Sequence, residues 1–378
     1  MTPGIIQFDI RLDLFPLTAA LLASIVCALL GNFLVLRKLS LMGDAISHSV
    51  LPGLVVALIL ASSRSAGWMF LGAAAAGVLT VVLVELVKSV GRVEPGAAMG
   101  VVFSIMFAVG ILLIEQASLR QVDIDADCLL HGQLEALAWF GAPSDLAGLF
   151  TPETLKSIPR QVVALLAATC LAAAMIGLLF KELRLAAFDP SLATSLGFNA
   201  TALHYILMTF VAAATVASFE AVGSILVIAM LICPAATARL LTDSLVPQII
   251  CSVVIASITA AVGYFAATSI PAAFGLDSVN AAGSITVVSG IALMLAIVAG
   301  PRHGLIARAV RRRNLARITA LEDLLAALYR AEERGHAATP VSDLSTPMAG
   351  RPFRPALRLA EHRSMIDRSK DAIALTDR

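Results

Sequence analysis

The sequence predicts an all-α polytopic membrane protein with a small soluble tail, on three observations. Hydrophobic residues make up 59% of the chain and charged residues 14%, and the mean hydropathy is +0.90, both far from the soluble average. Several apolar runs approach the roughly 20 residues a helix needs to cross a bilayer. The charges gather at the ends of those runs and beyond Pro301.

The apolar runs place about nine spans, with eight or ten also compatible, near residues 14–36, 41–62, 66–88, 96–116, 161–180, 202–219, 223–241, 246–268 and 282–300. The basic clusters Arg37/Lys38, Lys88/Arg92, Lys181/Arg184, Arg239 and Arg302 fall at alternate span ends, which makes those ends cytoplasmic and puts the C-terminus inside. The segment 118–160, with Asp123, Asp125, Asp127, His131 and Glu135, is then external and reads as a solvated polar loop. The net charge of +1 gives no global steering. No charged, short-cored leader with a cleavage site opens the chain. Cys27, Cys128, Cys170, Cys233 and Cys251 have no paired metal-ligand spacing and read as buried small hydrophobes.

The second span holds the best pointer to function. Asp44 and His48 stand four positions apart in an otherwise apolar stretch. On a helix that spacing puts both on one face, roughly 6 Å apart, so that a carboxylate oxygen and an imidazole nitrogen converge on one cation. Both donor types suit Mn, Fe or Zn, and ionisable groups at bilayer depth usually face a pathway or a partner. The same residues also read as a helix start, with Asp44 capping or pairing with Arg37 or Lys38 and His48 packed in a satisfied pocket. Pro52-Gly53 follows and favours a kink or break, as does Pro234 in the seventh span; both are candidate gating positions. Glu85 reaches headgroup water or pairs with Lys88. Glu220, at the junction of the sixth and seventh spans, reads equally as a pathway group and as a wet external turn.

Three stretches carry a resemblance. Gly31 to Gly53 (GNFLVLRKLSLMGDAISHSVLPG) resembles the signature of the membrane permeases of bacterial zinc/manganese/iron ABC importers, and Phe188–Gly197 (FDPSLATSLG) and Ala221–Ala238 (AVGSILVIAMLICPAATA) resemble two further family stretches in the expected order. The resemblance covers about residues 14–303. It implies a type II ABC importer-like fold, a pathway pair on Asp44 and His48 with Glu220 as a tentative third metal contact, and an ATPase-coupling segment on Phe188, Asp189, Pro190, Leu192, Leu196 and Gly197. The local chemistry agrees with the last of these: Asp189-Pro190 is a good helix start, Leu192 and Leu196 share a face, and Gly197 ends it.

The chain has no Gly-x-x-x-x-Gly-Lys-Ser/Thr phosphate loop. The resemblance therefore implies a non-enzymatic permease subunit in the bacterial inner (plasma) membrane. Its implied partners are a separate ABC ATPase, an extracytoplasmic metal-binding protein, a second permease subunit (identical or paralogous) and membrane lipids. No cofactor is expected to stay bound, the divalent metal (Mn, Zn or Fe) being cargo. The other functional readings are an ion-coupled secondary metal transporter, with Asp44 and His48 relaying protons, and a membrane-tethered metal-responsive regulator.

The expected organisation is a permease domain over 1–303, a basic juxtamembrane linker over 304–319 and a cytoplasmic domain over 320–378. In the last, residues 320–334 have helical apolar spacing ended by Gly335, Pro340–Ser345 and Pro355–Ile366 read as two further helices, and Ile366–Thr376 reads as a hairpin. That order resembles the winged-helix domain of metal-responsive repressors of the diphtheria-toxin-repressor type. Arg351, Arg354, Arg358 and Arg363 would lie on or before its recognition helix. The segment is short and lacks the repressors' metal and dimerisation parts, so a degenerate regulatory or docking appendix is expected, and nucleic acid is not an expected partner.

Overall fold

The computed structural model describes residues 10–61, 66–118, 134–137, 158–273, 275, 279–335, 339–340, 353–369 and 372–376. By chain contacts it divides into two compact units, 1–296 and 297–378.

Among the described residues nine helices are long and apolar enough to cross a membrane. They are α1 (Ile10–Leu36), α2 (Met42–Ala61), α3 (Ala66–Gly91), α4 (Pro95–Ser118), α5 (Arg160–Leu178), α8 (Ala200–Val222), α9 (Ser224–Leu241), α10 (Leu245–Ala273) and α11 (Ala281–Ala299); the short α6 (Phe180–Phe188) and α7 (Pro190–Ser195) lie between α5 and α8. These are the nine expected spans. Inside lipid a backbone must satisfy its own polar groups, so each apolar run becomes a helix. Asp123, Asp125, Asp127 and His131 lie outside the described residues, as does Cys128. Leu134–Leu137, which contains Glu135, is a 3₁₀ turn with Leu134 and Leu137 buried in the core around α1.

α1 is the hub, packed by α5, α8, α9 and α10, while α2 packs on α3 and α4 and also touches α8 and α9. Close helix approach depends on residues without a side chain. A Cβ on Gly31 of α1 would run into the Leu231 carbonyl of α9, and a Cβ on Gly53 of α2 into the Gly72 carbonyl of α3. Buried amides bind α1 to α10: Asn32 Nδ2 donates to Ser252 Oγ at 2.6 Å, and Gln248 Nε2 donates to Asn32 Oδ1 at 3.0 Å. The cysteines only partly follow expectation. Cys27 is buried and donates to Ser218 Oγ at 3.8 Å, but Cys170 is exposed and Cys233 and Cys251 are half-buried. An apolar bundle surface that faces lipid imposes no cost on a thiol there.

The second unit contains α12 (Leu305–Glu333), β1 (Thr339–Pro340), α13 (Phe353–His362), β2 (Ile366–Arg368) and β3 (Ala372–Leu375). The three strands form an antiparallel sheet in the order β1-β3-β2. The basic stretch 304–319 is helical from Leu305 and forms the first half of α12. Its Arg, Ala and Leu are good helix formers and no Gly or Pro interrupts them. Only from Ala320 onward does α12 bury a face, where Leu321, Leu324 and Leu328 meet Ala356 and Leu357 of α13 and Ile366 and Ile373 of the hairpin. Gly335, at φ +87°, ends α12 as expected. The helix expected from Pro340 begins differently: Pro340 pairs with Ala372 in the sheet, and the rest of that stretch, with Arg351, lies outside the described residues.

The α1–α9 contact can be tested directly. Gly31→Val should destabilise the detergent-solubilised protein by about 1–3 kcal/mol, because a side chain there forces two backbones apart. Thermal unfolding read by intrinsic fluorescence checks this, and an unchanged midpoint would contradict the contact.

Candidate functional site

α1 closes with a compact cap. Lys38 takes φ +58°, and the Leu39 N–H donates to the Leu34 carbonyl at 2.9 Å. This is the closure usually made by glycine after a helix. Met42 N–H donates to the Leu39 carbonyl at 2.9 Å, so α2 starts almost at once, with Asp44 in its first turn. There the helix dipole favours a carboxylate.

His48 Nε2 lies 3.3 Å from Asp44 Oδ1. The Asp44 side chain is 35% exposed and that of His48 19%, so the pair opens to the outside of the chain and is not sealed in its core. The imidazole is wedged edge-on against Phe103 and Phe107 of α4, with ring centroids 5.0 and 5.4 Å away. His48 Nδ1 is buried without a hydrogen-bond partner. Asp44 does not pair with Arg37, which turns to His204 Nδ1, 3.0 Å away; Asp44 instead lies against His48. One carboxylate oxygen and one imidazole nitrogen at this separation can share a small cation in place of their direct contact. Among the described residues no third His, Cys, Asp or Glu joins them.

Glu220 is therefore not brought into the pair. It is exposed near the end of α8 and lines a cavity of about 100 Å³ with Val50 and Leu54 of α2, which lie further along that helix than His48. α2 and α9 both run on through their prolines. Gly53 marks the crossing with Gly72, and Pro52 meets Gly110 of α4, where a Cβ would come within 2.9 Å of Pro52 Cδ. Pro52 and Gly53 also line an apolar cavity of about 760 Å³ with Trp68, Leu71 and Met106. Pro234 is buried in α9.

The segment Phe188–Gly197 folds as the residues suggest. Asp189 caps α7: its Oδ1 accepts from the Ser191 hydroxyl at 2.6 Å and from the Leu192 and Ser191 N–H groups at 3.0 and 3.1 Å. The Ser191 hydroxyl first, and the backbone donors with it, hold this carboxyl below the usual carboxylate range. Pro190 takes the first helical position, and Gly197 at φ +89° closes the far end, with Phe198 N–H on the Ala193 carbonyl at 3.0 Å. Ala193 is buried, whereas Phe188, Leu192 and Leu196 are 57%, 46% and 59% exposed. These three exposed apolar side chains stand on a firmly capped knob.

One cluster escaped the sequence reading. His204 of α8 meets Arg37, and its Nε2 lies 4.0 Å from Glu85 Oε2, while Lys88 Nζ bonds Glu85 Oε1 at 2.8 Å. The Glu85–Lys88 pair was expected. The signal for the rest was a histidine one turn into an apolar span, beside a short loop.

The chain matches the ABC 3 transport family over residues 14–138 and 153–300. It belongs to that family. The manganese transport system membrane protein MntD of Bacillus subtilis is 36% identical over 299 residues, which is 79% of this chain and 96% of that protein. The zinc transport system membrane protein TroD of Treponema pallidum is 35% identical over 296 residues, 78% of this chain and 76% of the relative. Among solved structures, PsaBC from Streptococcus pneumoniae in complex with Fab superposes with a TM-score of 0.60 at 29% identity, covering 77% of this chain and 92% of that one. Asp44, His48, the knob and Glu220 all fall inside the part matched to the ABC 3 transport family, and α12 and the elements after it fall outside. The chain is thus a multi-pass membrane protein of a metal-transport permease family.

If Asp189 secures the knob, Asp189→Ala should loosen it by about 1 kcal/mol, the usual loss for a helix cap. Amide exchange across residues 192–198 should then run several-fold faster with the spans unchanged, and wild-type protection there would contradict the capping role.

Proposed function

We propose that this chain is the permease subunit of an ATP-driven ABC importer for a divalent transition metal, Mn, Zn or Fe. The observation that carries this reading is the Asp44–His48 pair, 3.3 Å apart in a span of a chain that belongs to a metal-permease family. The manganese and zinc systems named among the relatives support the cargo class. Two donors leave the other coordination positions to water or to an opposing permease subunit, identical or paralogous. That suits an ion in transit better than a closed structural site with four protein ligands. The protein sits in the inner membrane with the knob and the C-terminus cytoplasmic, on the placing of its basic span ends.

In this reading an extracytoplasmic metal-binding protein delivers the ion, and Asp44 and His48 replace part of its hydration shell. A separate ATPase grips Phe188, Leu192 and Leu196, and its closure drives the exit. Pro52, Gly53 and Pro234 act as gating positions, since a prolyl nitrogen leaves a helical carbonyl unpaired where the helix can bend. Residues 320–378 form a cytoplasmic regulatory or docking appendix of winged-helix-like order, supported by a helix followed by a two-stranded hairpin, and not a DNA reader.

Asp44→Ala or His48→Ala should reduce metal uptake, in a strain lacking other importers, to the level without the permease, while insertion and ATPase association persist. Near-normal accumulation at equal expression would reject the pathway assignment. Leu196→Asp should weaken the complex with the ATPase by about 2 kcal/mol or more, because it places an unpaired charge in an apolar contact. Undiminished co-purification and metal-stimulated ATP hydrolysis would reject the coupling assignment.

A further inference from the structure

Arg37, Lys38, Glu85, Lys88 and His204 line one cavity of about 470 Å³. It lies where α1 and α3 end and α4 and α8 begin, beside Pro190 of the knob. Its charges do not balance. Among the described residues Glu85 is the only carboxylate lining it, and Lys88 already bonds that group at 2.8 Å. Arg37 uses one amino nitrogen on His204 Nδ1 at 3.0 Å, which puts the proton of a neutral ring on Nε2 and turns that nitrogen into a donor. Arg37 Nε and His204 Nε2 are buried with no hydrogen-bond partner. Among the described residues neither Arg37 nor Lys38 has a carboxylate within 4.0 Å.

The backbone adds to the excess of donors. Pro95 opens α4, Ala200 and Thr201 open α8, and all three line the cavity. Asn199 Oδ1 takes the Ala202 N–H at 2.9 Å, leaving the first N–H groups of α8 without an intrahelical acceptor. Two long helices thus direct the positive ends of their dipoles at a space already lined by three cations and one engaged acid. Such a space repels a cation and attracts an anion that can accept several hydrogen bonds.

We propose that this cavity binds a phosphate group, carried by the headgroup of an anionic phospholipid. Arg37 presents the planar donor fork that matches two phosphate oxygens, with Lys38 and His204 Nε2–H beside it. The lipid source follows from place: the cavity adjoins Leu36 and Leu39 at the end of a span, and basic pockets between spans at that depth select anionic headgroups. The inference rests on the membrane placement of α1, α3 and α8 and not on the importer reading. Its added consequence is that a bound headgroup would bridge the span ends and Pro190 of the knob.

The test is native mass spectrometry of the full-length permease in detergent with added phosphatidylglycerol or phosphatidylcholine. One phosphatidylglycerol should be retained per chain, and phosphatidylcholine should not. Arg37→Gln combined with Lys38→Gln should weaken retention roughly thirty-fold, two basic contacts being lost, while Arg308→Gln, on the exposed start of α12, should leave it unchanged. Glu85→Gln removes the competing acid and should tighten retention several-fold, an effect that misfolding cannot imitate. Displacement by millimolar inorganic phosphate would uphold the phosphate site and assign it a soluble source. Equal retention of both lipids, or wild-type phosphatidylglycerol retention in the Arg37/Lys38 variant, would overturn the proposal. So would loss of the ATPase partner from that variant with lipid retention intact, since the cavity would then receive an acidic side chain of the partner. Lipid retention is read without transport, so failure here leaves the metal pathway standing.

Discussion

Apolar helices gain nothing from burying apolar surface against one another in lipid, so this bundle depends on how closely its backbones can approach. The approaches are made at glycine. Gly31 brings α1 onto the Leu231 carbonyl of α9, Gly43 brings the start of α2 onto the Leu231 side chain, Gly53 faces Gly72 of α3, and Gly110 of α4 faces Pro52. α2 is thereby fixed from α9, α3 and α4 at once. With those faces taken, the helix presents Asp44 to the outside of the chain and presses His48 onto Phe103 and Phe107. The position of the candidate pair is a result of packing.

The polar groups within the spans differ in how well they are bonded, with Thr215 Oγ1, Gln248 Oε1 and His48 Nδ1 among the buried atoms left without a partner. Asn32 is bonded on both sides of its amide, to the Ala28 carbonyl and Ser252 through Nδ2 and to Gln248 through Oδ1, and it ties α1 to α10 with no access to solvent. Buried serines such as Ser47 return their hydroxyls to the preceding turn, here the Gly43 carbonyl at 2.8 Å. His48 has one nitrogen on Asp44 and the other on nothing. A membrane protein can keep a fully bonded amide for packing alone. An imidazole whose buried Nδ1 is unmet, beside a half-open carboxylate, carries a standing cost that the bonded Asn32 amide does not.

What could be read from the sequence was local. The nine spans depend on length and apolarity within one run, the pair on a four-residue spacing, and the knob on Asp189-Pro190 and Gly197, so all of these were legible. Features that need a partner from elsewhere in the chain were not. Pro52-Gly53 suggested a kink, but the local pattern could not show that Gly53 serves a contact with Gly72 of α3. Glu220 has the right chemistry for the pair but stands on another helix, against Val50 and Leu54. His204 became meaningful only once folding had brought Arg37, 167 positions away, to its ring. The helicity of the basic stretch before Ala320 follows from its Arg, Ala and Leu with no residue to break the run.

The two polar sites share one piece of rigid backbone. Arg37 and Asp44 are separated only by the closed turn in which Lys38 takes positive φ and Leu39 bonds back to Leu34. Across that turn the cation-lined cavity and the Asp44–His48 pair lie at the two ends of a short, stiff connection, with the cavity also touching Pro190 of the knob. Contiguity alone is not coupling, which requires an element with two arrangements that both sites bias. The Arg37–His204 contact is suited to be that element. It is one bond from Arg37, just past α1, to His204 of α8, at the border of a cavity, and Arg37 can exchange it for an anion without leaving a carboxylate unpaired. The backbone turn, held by its own hydrogen bonds, has no such alternative and would pass a displacement of α1 on to the start of α2.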